Sequence, residues 1–483
     1  MSDVAVAELP PVAAEPLLRP GAEPPPPPKN PLLDDAILPT LLRLSWPNML
    51  ALTAGTCVVV AETSYIGRLG TEALAAMALV FPFVILTMTM SGGAMGGGVA
   101  SAIARALGSG DRDRAATLAM HALLIGLCFG LVFTLGMLIF GARALELLGG
   151  RGNVLAQAIG YVQIFFAGAV VPWLMNTLAA ILRGTGNMKL PSLMILISAM
   201  LQVVLGGVLG LGFGPIPSFG MPGVAAGTLI AFSTGTAVMA WYIFSGRARV
   251  QPTLKGLQIE RGMFVDILKV GAVACFTPLQ SVLTIIIFTH MLAHFGTAIL
   301  AGFGIGARLE FMLTSMAFAV GIASVPMIGM AIGAGQIKRA RRIAWTAALV
   351  SFLTVGVVGS AIAFFPHLWV DLFTSDPDVK LAGERYLQAA APFYAFIGLS
   401  ISLYFSAQGA AKVLGPVLAQ TVRLIFVVIG GWLLTVNHGT AANFFALAAA
   451  SMVLLGLGCA FSVLVTRWEP KKIAVITPPT IVG

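Results

Sequence analysis

From residue 37 onward the chain is a succession of long apolar runs, broken at short intervals by charge, glycine or proline. An α-helix rising 1.5 Å per residue needs about 20 apolar residues to cross a bilayer core roughly 30 Å thick. Twelve stretches meet that length: 37–66, 74–102, 115–140, 155–182, 190–212, 223–245, 263–292, 298–326, 340–366, 382–409, 415–436 and 441–466. The pattern predicts an all-α polytopic membrane protein with twelve transmembrane helices. The connections are too short to hold a further soluble domain. Composition sharpens this: 58% of residues are hydrophobic and 10% charged, against about 25% charged in soluble domains. A water-soluble particle of this size is excluded.

The net charge of +9 first suggests a polyanion partner, but no basic stripe with interleaved aromatics accompanies it. Lys and Arg instead cluster on alternate connections, as at Arg112 and Arg114, at Arg247 and Arg249, and at Lys338, Arg339, Arg341 and Arg342. By the positive-inside rule those connections, and both termini, are cytoplasmic. The first 36 residues include the run Pro24 to Pro28 and lack an apolar core, which predicts a disordered cytoplasmic tail rather than a cleaved leader. Residues 467–483 are expected to form a second cytoplasmic tail. The four cysteines stand alone in apolar runs, with no disulfide or zinc spacing.

Self-comparison reveals a duplication. GRLGTEALAAMAL around Gly70 matches AHFGTAILAGFGI around Gly296, and RALGSGDRDRA (105–115) matches MAIGAGQIKRA (330–340). Tyr161 and Gln163 match Tyr386 and Gln388, and Gly184 and Pro191 match Gly409 and Pro416. The offset is 226 in the first case and 225 in the others, so two six-helix lobes align almost without gaps: an N-lobe at 37–245 and a C-lobe at 263–466, joined by a cytoplasmic linker at 246–262. Because six is even, both lobes enter the membrane in the same direction. Their pseudo-two-fold axis then lies along the membrane normal, an arrangement suited to alternating access around a central cavity.

On these residues the chain resembles the multidrug and toxic compound extrusion (MATE) family over roughly 40–466. The carrying pieces are LSWPNML, AETSYIGRLGTEALAA, ALGSGDRDRA, ILRGTGNMKLP and the echo of the last as FSAQGAAKVLGP. The resemblance implies a cation-coupled antiporter that exports amphipathic, often cationic organic compounds in exchange for H⁺ or Na⁺.

An ionisable group within the membrane costs roughly 2.5–3.5 kcal/mol or more, so each is a candidate for function. Glu62 follows an uncharged stretch that starts at Leu44, and its repeat counterpart is Phe288. The resemblance makes this position, usually Asp, the N-lobe cation-coupling group; an interfacial, solvated carboxylate is the plainer alternative. The family's fifth helix usually carries an Asn and, four residues later, an Asp, where this chain has Gln202 and Gly206. The C-lobe acid of one branch is likewise missing, its neighbourhood holding Gln280 and Ser281. This pattern resembles the DinF-type branch and favours H⁺ over Na⁺. Glu310 is either ion-paired to another helix or a second ionisable site, and Arg423 is expected to snorkel towards the cytoplasm. Tyr161, Asn176, Gln202 and Thr228 are candidate substrate or cavity residues, each equally able to serve as an interhelical hydrogen bond. His290 and His294 share a helix face without a third metal ligand. Pro47 is expected to bend the first helix during transport, and the glycines at 92, 93, 96, 97 and 98 allow either close helix approach or unwinding.

The reading is a proton-coupled multidrug exporter of a bacterial inner membrane, monomeric, with small organic substrates, no cofactor, no metal and no nucleic-acid partner. A lipid or oligosaccharide flippase is the alternative, ranked second because its cavity should carry Arg and Lys while the spans hold few. A membrane enzyme would need a nucleophile–base pair or metal cluster, and none is apparent.

Overall fold

The computed structural model describes residues 30–252 and 259–469. The Pro24 to Pro28 run, with the rest of 1–29, and the segment after 469 lie outside the described residues. Among the described residues eleven helices are long and apolar enough to cross a membrane, and one bent pair makes a twelfth span. The N-lobe holds α1 (Ile37–Arg68), α2 (Thr71–Gly108), α3 (Arg112–Leu147), α4 (Gly152–Ala167 continued by Val170–Gly184), α5 (Lys189–Leu211) and α6 (Gly220–Phe244). The C-lobe holds α7 (Arg261–Ala293), α8 (Thr297–Gly333), α9 (Ile337–Phe364), α10 (Pro377–Gly409), α11 (Leu414–Val436) and α12 (Ala441–Val465). The fourth span bends by 48° at its break. Helices are the expected solution, because a bilayer core offers no water to backbone N–H and C=O groups. Several helices outrun their apolar stretch; α8 is 37 residues long.

Polar caps start the helices where the chain turns. Asp111 accepts from the Arg114 amide at 2.9 Å before α3, Asp376 caps α10, and Thr440 with Asn443 forms a capping box before α12. The duplicated motifs are duplicated turns: Gly70 and Gly296 have φ of 117° and 100°, and Gly110 and Gly335 have 83° and 75°. Only glycine takes such angles freely. After α4 the same turn uses Gly186 at φ 88°, but its counterpart after α10 is Ala411 at φ 55°. A left-handed alanine is disfavoured by about 1 kcal/mol or more. Ala411→Gly is therefore expected to raise the thermal unfolding midpoint in detergent, and a lowered midpoint would contradict a strained alanine at this turn.

The two lobes are joined at the end that carries the termini and keep separate cores at the other. At the terminal end Leu41 and Leu44 of α1 share a core with Met327 and Ile328 of α8 and Ala344 of α9. Met95 and Val99 of α2 share another with Tyr404 and Phe405 of α10. At the far end Ile66, Val80, Phe165 and Val224 form a core within the N-lobe, while Phe303, Leu309, Tyr386 and Phe444 form one within the C-lobe. The pseudo-two-fold axis passes between α2 and α8. A Cβ at Gly108 would lie 2.2 Å from the Met330 carbonyl oxygen, and one at its counterpart Gly333 would lie 2.1 Å from the Arg105 carbonyl oxygen. Lipid supplies no hydrophobic drive between helices, so such close backbone approach provides the packing attraction.

The glycine run in α2 does both things the sequence left open. Thr89–Met95 is a π-helical turn, and beyond it Gly98 meets α7, where a Cβ would stand 2.7 Å from the Gly271 nitrogen. One expectation needs correction. Residues 31–34 belong to the segment expected to be a disordered tail, yet Pro31–Asp34 is a short helix with Leu32 buried against the terminal-end core. Pro47 lies inside α1, which runs without a break from Ile37 to Arg68. At this interior position the ring removes one i→i−4 hydrogen bond, to the residue 43 carbonyl.

Beside the shared core, Asp266 of α7 takes three cations: Arg105 at 3.0 Å, Arg114 at 3.0 Å and Lys269 at 2.5 Å. The Asp266 side chain is only 9% exposed and that of Arg105 15%. Arg105 also donates to Ser101 Oγ, and Ser101 in turn donates to the Gln408 carbonyl oxygen at 2.5 Å. This network ties α2 and α3 of the N-lobe to α7 and α10 of the C-lobe.

Candidate functional site

Glu62 is buried at 6% exposure, on the face of α1 that meets α5. Gln202 of α5 donates from Nε2 to Glu62 Oε1 at 2.5 Å. Tyr65, one turn along α1, donates its hydroxyl to the same oxygen at 3.5 Å. Tyr161 of α4 completes the wall, close enough to interact with the Glu62 charge, and its hydroxyl lies beside Thr228 of α6. Four of the residues singled out in the sequence, Glu62, Tyr161, Gln202 and Thr228, thus converge from four helices of the N-lobe. The solvated interfacial alternative for Glu62 does not match its burial.

Gly206 has a definite role here. A Cβ at 206 would stand 2.5 Å from the Tyr65 hydroxyl oxygen. The space that the family pattern gives to a second carboxylate is filled by a phenol reaching over from α1. Tyr65 went unnoticed in the sequence, although its i+3 spacing from Glu62 puts both on one helix face.

Asn176 stands apart from this cluster. Its Nδ2 donates to Ser91 Oγ at 2.8 Å, and its side chain covers Gly92, so it braces α4 against the π turn of α2. Glu310 is in the other lobe, lining a cavity of about 270 Å³ that lies mostly in the C-lobe and is closed on one side by Thr89 and Gly93 of α2, together with Tyr386, Gln420 and Arg423. That is near the lower end of ligand-cavity sizes, about 300–1,000 Å³. Arg423, expected to snorkel, faces this cavity instead, because packing of α11 against α12 turns it inward to donate from Nε to Ser451 Oγ at 3.3 Å. Gln280 donates to Thr421 Oγ1 at 2.6 Å, and Ser281 accepts from Gln420 at 3.2 Å. His294 pairs through Nδ1 with the His290 carbonyl oxygen. No group of three or more metal-ligating side chains occurs among the described residues.

The MatE family model matches residues 47–208 and 274–433, once in each lobe. The chain belongs to the MatE family. Among the relatives of this MatE protein, one named FAD transporter in Shewanella oneidensis is 26% identical over 400 residues, covering 82% of this chain and 88% of its own. The probable multidrug resistance protein YoeA of Bacillus subtilis is 25% identical over 369 residues, covering 76% and 79%. In fold, the chain is similar to a MOP-superfamily transporter of Pyrococcus furiosus, with a TM-score of 0.83, 23% identity and coverage of 90% and 97%. The family is one of transporters, so this MatE protein is a multi-pass membrane transporter and not an enzyme.

Proposed function

We propose that this MatE protein is a secondary active antiporter of a bacterial inner membrane. It exports amphipathic, often cationic organic compounds in exchange for H⁺ by alternating access, working as a monomer with cytoplasmic termini and no cofactor. The observation that carries the reading is Glu62: a buried carboxyl whose counterpart in the other lobe is Phe288, held by Gln202 and Tyr65. A lone carboxyl in such a place needs to bind only a proton to become neutral. A Na⁺ ion asks for several oxygen ligands, and the second carboxylate that would help supply them gives way to Tyr65 over Gly206. Relatives named for multidrug resistance support export of organic compounds as the cargo class.

With cytoplasmic termini, lobes that share a core at the terminal end correspond to an outward-facing state. Uptake of a proton by Glu62 would weaken the hydrogen bonds that Gln202 and Tyr65 donate to it, since a carboxylate accepts more strongly than a neutral carboxyl, and let α1 shift against α5. The test is dye movement into or out of proteoliposomes with pH and Na⁺ gradients imposed separately. Ethidium movement driven by the pH gradient alone is expected. Movement that requires Na⁺ would keep the transporter and overturn the ion, while phospholipid scrambling without dye movement would favour a flippase.

A further inference from the structure

The C-lobe cavity has a charged end that coupling through Glu62 does not use. Arg423 engages only Nε, at Ser451; its two terminal nitrogens have no hydrogen-bond partner among the described residues. Glu310 has no hydrogen-bond partner there either. The two groups feel each other's charge without forming an ion pair at contact distance. The rest of the wall is mostly apolar, with Phe288, Phe303, Phe311 and Phe318 along it, interrupted by hydroxyls such as Thr277, Thr314 and Ser400.

Holding the lobe together does not explain this pair. At the repeat offset, Arg423 corresponds to Ser198 and Glu310 to Val84 or Ile85, so the N-lobe builds the same six helices without either charge. An arginine in a membrane span is costly, and a carboxylate that is not in contact with it offsets only part of that cost. A guanidinium fork with free donors facing a cavity matches the bidentate geometry of a carboxylate, sulfonate or phosphate.

We propose that the C-lobe cavity binds soluble amphipathic organic anions, whose acidic group takes the free nitrogens of Arg423 while their apolar body lies on the phenylalanine wall. Glu310 is the resident counter-charge, weakening anion binding and keeping the empty site neutral. The cargo range of the transporter then includes anions and zwitterions as well as cations. The inference deepens the transport reading and rests on it for the direction of movement only.

The test measures binding without any gradient, so its failure leaves coupling through Glu62 untouched. Two probes share one ring system and differ in charge: 1-pyrenesulfonate and 1-pyrenemethylammonium. Each is titrated against the purified protein in phosphatidylcholine nanodiscs, with empty nanodiscs subtracted. The wild type is expected to bind the sulfonate. Arg423→Gln should weaken it at least tenfold, about 1.4 kcal/mol, and Arg423→Lys should fall between the two because it keeps the charge but loses the fork. Glu310→Gln should tighten sulfonate binding, an opposite sign that a purely structural pair would not give. Sulfonate affinity unchanged in Arg423→Gln, or lowered in Glu310→Gln, overturns the proposal. If Arg423→Gln fails to fold, the Glu310→Gln and Arg423→Lys results decide alone. Sulfonate binding lost in phosphatidylglycerol nanodiscs overturns the soluble-anion assignment in favour of a lipid headgroup.

Discussion

Glu62→Gln is expected to reduce gradient-driven export to the level of protein-free liposomes while leaving the folded protein in the membrane. Glutamine matches glutamate in size, so α1 and α5 can still pack at this point and Gln202 can still hydrogen-bond to residue 62. What is lost is the ability to change charge. Proton-coupled transport of the proposed kind is driven only because one group alternates between a neutral and an anionic form as the lobes rock, and no amide can do that. Glu62→Asp retains the chemistry and should keep measurable transport, altered because the carboxyl is withdrawn by one methylene from Gln202 and Tyr65. Equal activity of Glu62→Gln and wild type in pH-driven dye export would remove Glu62 from the coupling step.

The second large effect is on stability. Asp266→Asn is expected to destabilise the protein by about 3–5 kcal/mol, the range for removing one partner of a buried ion pair. Most of that comes from Arg105, which is left nearly buried without a counter-charge. Arg114 and Lys269 are 47% and 49% exposed and add little, since exposed pairs are screened by solvent. Because the network ties α2 and α3 to α7 and reaches α10 through Ser101, its loss should also loosen the terminal-end closure. Protease sensitivity of the 246–262 connection and the melting point in detergent should change together. An unchanged melting point would mean that the cluster is dispensable.

How much of the molecule was legible in the sequence follows from what hydropathy and repetition can encode. Span number, the repeat and the paired glycine turns depend on local chemistry that recurs at an offset of 225, and the structure places them accordingly. Glu62, Gln202, Tyr161 and Thr228 could be named because a polar residue in an apolar run stands out, although their convergence could not be read. Three features depended on helix rotation, which packing sets and hydropathy does not. Arg423 lies in α11 with its head turned into the cavity by α12. Asn176 is drawn away from Glu62 by the π turn at Ser91. Tyr65 fills the space over Gly206, which the sequence presented only as a missing carboxylate. Asp266 escaped notice for another reason: its arginine partners lie 161 and 152 residues earlier in the chain.

The most direct test of proton exchange at Glu62 is to count protons released when ethidium binds to the purified protein in weakly buffered solution, followed with a soluble pH indicator. Release of close to one proton per dye bound is expected from the wild type and none from Glu62→Gln. Dye binding with no proton release from the wild type, or equal release from both proteins, would contradict it.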